Sequence, residues 1–574
     1  MTHEYGNKTH HIPETVPVSS WIWGHRLRQG QDWVEYTLEF LNVLVGYDYA
    51  LGRGICGPDD ATPPQPYRKY SRLGLRRFVF FDGVSGKIDE RDVKATAQLK
   101  EQLQRTPLMT DKEGSTDVLA SVQSLLRSYT AVEKQRSWFA KSLFPVHEHL
   151  LFWEALRKED KTPGKGGILP LFGDPTLDAD TAELDKGISL SARNFFARGG
   201  ELYYLMLSAG THSDPALAAA IGGQLQLLLR ESSPAIGRLA ALIDATWARQ
   251  EPSAELSLAR ETSEEKGGHL GWLPRKDDPL FHVFAQDVAQ LLRAPLGVTD
   301  ALTSLAHLMA FHLTLYIYRR AHAVLAPSAP SPALLLDLLD QDGDSTLRRA
   351  SSAHFREQEA VQAQAVRAFV TATVEAAWAD VTPDKSFGLA LREHTKRWSL
   401  GKAKVTKGSG EGPKGKKSAA DHDFYLWVDR LAASSGGLNR ALVAEQLADL
   451  VMPDFTKHFL GVHRKLAKSC GFVAPPQGQS ARYVMGNELL KALVLALTGQ
   501  ERDMEYAEFL QALYDRYGLV IGLDQARLSG VFDRHGINAD YYQRNQQALL
   551  DKLTSAGLAK EYSDATALVS GRLS

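Results

Sequence analysis

Apolar residues recur at the helical period over most of this chain. Trp33, Tyr36, Leu38, Phe40, Leu41 and Leu44 spread a broad apolar face along one helix. From Ala95 the same period runs almost continuously through "QSLLRSYTAVEKQRSWFAKSLFPVHEHLLFWEALRKED". It returns in "ARNFFARGGELYYLMLSAG" at 192–210, where aromatics and leucines surround a Gly-Gly, and in "ALTSLAHLMAFHLTLYIYRRAH" and "REQEAVQAQAVRAFVTATVEAAWADV". Only "RRFVFFDG" at 76–83 reads as a strand in the N-terminal region. Long apolar faces must bury against one another, so the pattern predicts a mostly α, multidomain helical array. No fixed repeat length recurs, which argues against a solenoid.

Breaks in that period give the expected boundaries. Residues 1–17 form a polar tail without the apolar core of a signal peptide. Residues 18–180 form an N-terminal, mainly helical domain. It is interrupted by the loop "GRGICGPDDATPPQP" at 52–66 and closed by "KTPGKGGILPLFGDPTLDAD" at 161–180. Residues 181–400 form a second helical domain. "GKAKVTKGSGEGPKGKKSAA" at 401–420 is a flexible Lys/Gly linker. A C-terminal helical region, 421–574, follows. A length of 574 residues suits about three to four domains.

The end of the chain, "QALLDKLTSAGLAKEYSDATALVSG", runs from a helical segment through Gly557 into two alternating segments. Over 486–574 this resembles the winged-helix superfamily, with a last helix, a glycine turn and two wing strands. The resemblance implies that Leu549, Leu550, Leu553 and Leu558 face the core. It also implies that the last helix enters a DNA major groove, with Tyr541, Tyr542, Arg544, Asn545 and Gln547 toward the bases.

Charge alters that expectation. The whole chain carries a formal net charge of −2, so any nucleic-acid footprint must be local. Residues 501–574 hold eight Lys/Arg against eleven Asp/Glu, a difference of −3, which repels phosphate. Residues 451–500 hold six against two, a balance of +4, and the linker holds six lysines against Glu411, +5. In "FTKHFLGVHRKLAKSCG", Lys457, Arg464, Lys465 and Lys468 fall on one helix, three of them near one face. This basic helix, with the linker, is the stronger phosphate-binding candidate. The wing, with Asp551, Glu561 and Asp564, better suits a protein partner.

Catalytic chemistry finds little footing. Asp82, Asp92 and Lys94 supply the carboxylates and lysine of a metal-dependent nuclease, but Asp92 and Lys94 sit in "DERDVKATAQLKEQL", which reads as an acidic helix start. Asp340, Asp342 and Asp344 lack the glycine and glutamate spacing of a calcium loop, and a helix end followed by a new cap explains them. His147 and His149 stand two apart and diverge, whereas zinc ligands on a helix stand four apart. His307 and His312 read as core histidines with polar partners. "TPGKGG" lacks the phosphate-loop spacing. No metal site or cofactor is therefore expected. Cys56 and Cys470 form no disulfide framework, which suits a reducing cytoplasm. The apolar stretch at 307–320 is too short to span a membrane.

The Trp-rich start, "FFARGGELYYLMLS" at 195–208, the helical middle and "EFLQALYDRYGLVIG" at 508–522 before a winged-helix-like end form a recognisable organisation. It resembles subunits of bacterial anti-phage defence systems of the methylation-associated or phosphorothioate-linked type. The resemblance implies a non-catalytic cytoplasmic subunit working beside a separate ATPase, methylase or nuclease. Its C-terminal region would bind duplex DNA or a partner protein. A metal-dependent nuclease and a pure protein scaffold are the alternatives.

Overall fold

The computed structural model describes residues 199–231, 272–400 and 419–572 with short gaps. Helices at 18–23 and 33–41, short strands and single residues before 262 complete the described set. The fold is mostly helical. In the first two thirds lie α1 (Val18–Trp23), α2 (Trp33–Leu41), α3 (Glu201–Gly210), α4 (Pro215–Glu231), α5 (Pro279–Arg293), α6 (Val298–Leu325), α7 (Thr346–Ala379) and α8 (Phe387–Thr395). Beyond the linker come α9 (Ala419–Ala433), α10 (Arg440–Asp454), α11 (Leu460–Ser469), α12 (Asn487–Thr498), α13 (Tyr506–Tyr517), α14 (Leu523–Leu528), α15 (Val531–His535) and α16 (Ala539–Ser555).

Helix starts follow local chemistry. Asp278 accepts from Leu280 N at 2.9 Å, with Pro279 in the first turn of α5. Ser345 caps α7 by accepting from Arg348 N at 3.1 Å. Asn439 and Asn538 cap α10 and α16 in the same way.

The central element is α6. It is buried on nearly every face between Leu302 and Ala321, as a helix apolar all round must be. Helices α1, α2, α5, α7, α11 and α12 pack around it. Trp23 Nε1 donates to the Ile317 carbonyl at 3.1 Å, and Arg320 Nε donates to the Ile22 carbonyl at 2.9 Å, which seats α1. By length and composition α6 could cross a membrane, yet 94% of its most apolar window is buried inside the fold, as in a core helix. No other described helix meets that criterion.

Two glycines set how closely α2 and α3 meet. Helix α3 begins after Gly199-Gly200 rather than running through them. A Cβ on Gly199 would overlap the Tyr36 ring, and one on Gly200 would overlap the Tyr36 carbonyl. Gly200 N donates to the buried Glu39 carboxylate at 2.7 Å.

The C-terminal segment is joined to the helical middle by backbone and side chain. Strand β1 (Leu334–Leu335) pairs in parallel with β5 (Leu519–Val520). β2 (Val473–Ala474) and β3 (Arg482–Tyr483) form a short antiparallel ladder. β6 (Ala559–Ser563) and β7 (Thr566–Val569) form a hairpin after α16, and β4 (Met504–Glu505) adds to β7 as a third antiparallel strand. One apolar cluster includes Trp23, Tyr203, Phe311, Phe472, Leu495 and Leu553, and so spans the segments on both sides of the expected linker.

A charged carboxylate sits inside this junction. Asp287 on α5 is fully buried. Its Oδ2 accepts from Tyr517 OH at 2.7 Å and from His312 Nε2 at 2.9 Å; its Oδ1 accepts from Arg516 Nε at 2.8 Å. Three helices, α5, α6 and α13, are thereby tied to one group. Burial, with Asp287 next, raises the Tyr517 phenol well above its ordinary value, so it stays a donor.

The sequence expectation fails locally in the N-terminal region. Where a continuous helix is expected from Ala95, strand pairs lie at 130–133 with 136–140 and at 155–157 with 188–190. "TAVE" and "RSWFA" hold β-branched and aromatic residues that fit a pleated surface, and pairing outweighs the helical period there. The expected strand at 76–83 lies outside the described residues.

Asp287→Ala strands Arg516 and Tyr517 beside an empty acceptor position. It is expected to cost about 3–5 kcal/mol in urea unfolding, while a paired Asp287→Leu, Arg516→Met variant recovers the part due to the stranded Arg516 charge. A single-variant loss below about 1 kcal/mol would contradict this role for Asp287.

Candidate nucleic-acid interface

Helix α10 does not stop at Asp454. It passes through a π-helical turn, Phe455–Phe459, into α11. Pro453 lies just before that turn. It has no N–H to donate and its ring crowds the preceding carbonyls, which favours a local change of winding. The wider turn moves Lys457 around the axis, toward the sector held by Lys465 and Lys468. Lys457 and Lys465 are exposed, and Lys468 is half-buried. The opposite face carries Phe455, Phe459, Val462 and Leu466, all buried.

Arg464 is exposed but held. Its Nε and terminal nitrogen donate to both carboxylate oxygens of Glu359 on α7, the latter bond 2.9 Å long. The hydrogen bond to Glu359 holds the Arg464 guanidinium above its ordinary value. Beneath it, His463 is fully buried, 3.0 Å from Tyr318 OH. Burial, then the Arg464 charge, push His463 down to about 3, so the ring is neutral and adds no positive charge. Arg482, counted in the same basic stretch, is spent on the buried Asp337, with Nε donating at 2.6 Å.

The residues expected at the bases divide. Arg544 and Gln547 are exposed on α16, and Tyr541 is half-buried under the Arg544 guanidinium, 5.8 Å from ring centroid to cation. Gln547 Nε2 donates to Asp551 at 2.9 Å. Tyr542 and Asn545 are fully buried, which corrects their assignment to a base-reading face. Asn545 Oδ1 accepts from Leu338 N at 2.8 Å. Its Nδ2 donates to the Leu336 and Ile521 carbonyls at 3.1 and 3.0 Å, so three strand-end backbone groups depend on it. Both residues continue the buried stripe of Leu549 and Leu553, as do residues three or four apart on one helix face. Leu558 is buried and Leu550 partly so.

Asp82, Asp92, Lys94, the linker lysines, His147 and His149, and Asp340, Asp342 and Asp344 lie outside the described residues. His307 hydrogen-bonds the Cys470 carbonyl at 3.0 Å, and His312 is held by Asp287. Among the described residues, no group of three or more His, Cys, Asp or Glu could hold a metal ion.

Residues 454–569 match the family model of the methylation-associated defense system protein MAD7. The match covers about a fifth of the chain and begins at the π turn, so it takes in the basic helix, α12 to α16 and the hairpin. It associates the chain with a methylation-associated defence system. No curated protein matches the chain.

One contact in the matched segment has no sequence signal. His535 on α15 meets His354 on α7, 181 residues away, with the two Nε2 atoms 2.7 Å apart. One ring must donate and the other accept, so a second proton would set two N–H groups face to face. Burial, then the neighbouring His535, lower His354 to about 4, with Arg534 adding to the drop and Glu357 opposing it. Below the ordinary value of 6.5 the unfolded chain gains a proton that folded His354 refuses until about 4. Stability therefore rises with pH across that window and is lost on acidification. Moving from pH 7 to pH 5 should remove about 2 kcal/mol through His354. His354→Gln should lose correspondingly less over the same range in urea unfolding; equal losses would contradict the assignment.

Proposed function

We propose that the chain is a non-catalytic cytoplasmic subunit of a methylation-associated defence complex, and that it contacts duplex DNA through its basic helix. One observation carries this reading: the segment matched by the defence-protein family opens on a helix with Lys457 and Lys465 exposed and Lys468 half-buried near them. Three lysines on one sector suit phosphate oxygens and carry no base information. Recognition chemistry, methylation or cleavage then belongs to separate subunits, an ATPase, a methylase or a nuclease.

The helix α16, its hairpin and the third strand β4 support a winged-helix reading for the C-terminus. Its acidic surface favours a protein partner at the wing. Tyr562 at the hairpin is 61% exposed, with the Lys560 ammonium 5.1 Å from its ring centroid and exposed Glu561 beside it. Exposed tyrosines are enriched at protein contacts.

Fluorescence anisotropy of the full-length protein with labelled duplex DNA tests the reading. Binding should weaken steeply with salt. A Lys457→Ala, Lys465→Ala, Lys468→Ala variant should bind at least about tenfold more weakly, with the log–log salt slope reduced by about 2–3. Arg544→Ala should bind as wild type does. Absence of duplex affinity at low salt would contradict it.

A further inference from the structure

Helices α8 and α9 stand on either side of the linker in sequence and pack against each other. Two bonds set their register. Gly388 N donates to Asp429 Oδ1 at 2.7 Å, and the Thr395 and Tyr425 hydroxyls meet at 2.5 Å. Position along α8 rises as position along α9 falls, so the pair is antiparallel. Phe387 and Leu391 of α8 and Tyr425 and Val428 of α9 face the core and are buried. At about 100° per residue, Leu389 falls on the opposite face of α8 and is 45% exposed. Leu426 turns away from Val428 on α9 and is 38% exposed.

Each leucine has an arginine one turn further along its own helix: Arg392 after Leu389, and Arg430 after Leu426. The antiparallel register also sets Arg430 near the level of Leu389, and Leu426 near the level of Arg392. The acids around this face are already engaged. Asp429 turns inward against Gly388, where a Cβ would lie 2.5 Å from its carboxylate. Glu393 is held by Lys385 at 2.6 Å, and Asp380 meets His394 at 2.7 Å. Arg392 and Arg430 are exposed and join no ion pair among the described residues.

We propose that the α8–α9 face docks an acidic amphipathic helix of a partner protein. Its apolar stripe lies on Leu389 and Leu426, and its carboxylates meet Arg392 and Arg430. Helix recognition of this kind uses apolar anchors one turn apart, with flanking charge that selects the partner and fixes its direction. A phosphate backbone fits less well, because it offers charge alone and leaves both leucines without an apolar neighbour. A bilayer fits less well too, since a helix that lies in a membrane surface needs a continuous apolar face. The face lies outside residues 454–569 and does not rest on the DNA-binding reading.

The test titrates the full-length protein with a labelled peptide of about two heptads, leucine and glutamate at helical spacing, and with its leucine–lysine counterpart. The acidic peptide should bind at least about tenfold more tightly than the basic one. Arg392→Glu with Arg430→Glu should weaken the acidic peptide at least about tenfold and strengthen the basic one. Leu389→Ser with Leu426→Ser should weaken the acidic peptide to a similar degree, with an unchanged circular dichroism spectrum. No binding of the acidic peptide, equal binding of both peptides, or equal binding by wild type and both variants would overturn the proposal. Duplex DNA and phosphatidylserine vesicles form the second arm. If the arginine variant loses either of these while wild type ignores the acidic peptide, the face is a nucleic-acid or lipid surface and the proposal falls. Duplex binding that depends on Lys457 and Lys465 should be the same in wild type and both variants, which keeps the two readings separable.

Discussion

A full negative charge with no exposure to water must be answered by its neighbours, and the Asp287 carboxylate is answered by three side chains. Arg516, Tyr517 and His312 reach it from α13 and α6, while Asp287 itself stands on α5. Removing any one leaves the charge under-solvated in the interior, where the penalty is several kcal/mol. The joint is therefore demanding in geometry as well as energy. Further out, Asn545 ties the ends of β1 and β5, and buried Asp337 takes Arg348 and Arg482. The Arg516, Tyr517, Arg482 and Asn545 links span the expected boundary between the helical middle and the C-terminal region.

The surface chemistry depends on that joint. Because α10 and α11 are held against α6 and α7, the lysines of α11 stand on the same packed body as the helical middle. Glu359, where α7 meets α11, is answered by Arg464. The overall charge of −2 hides the basic helix, since its local excess is balanced by acids elsewhere in the chain.

Much of the helical architecture was legible as periodicity. The apolar run of α6, the amphipathic α7 and the cap at Ser345 are local signals. The pairings were not. Asp287 within "FAQDVAQLL" looks like any polar position, and Arg516-Tyr517 looks like a helix end; 229 residues separate Asp287 from Arg516. Glu359 and Arg464 are 105 apart, so the neutralised flank of α7 could not be read from its alternating "REQEA". The misplacement of Tyr542 and Asn545 has a different cause. Both lie on the same stripe as Leu549 and Leu553, a period that the winged-helix resemblance does not respect. A polar amide on an apolar stripe is itself a sign of a buried backbone clamp.

The central claim is that the segment at 454–569 is built into the helical middle as one cooperative unit. Native-state hydrogen exchange on the full-length chain tests it most directly. The amides of α5, α6, α13 and α16 should exchange with a single shared opening free energy, and Asp287→Ala should lower all four together. Exchange of α13 and α16 at a distinctly lower free energy, with α5 and α6 still protected, would contradict it.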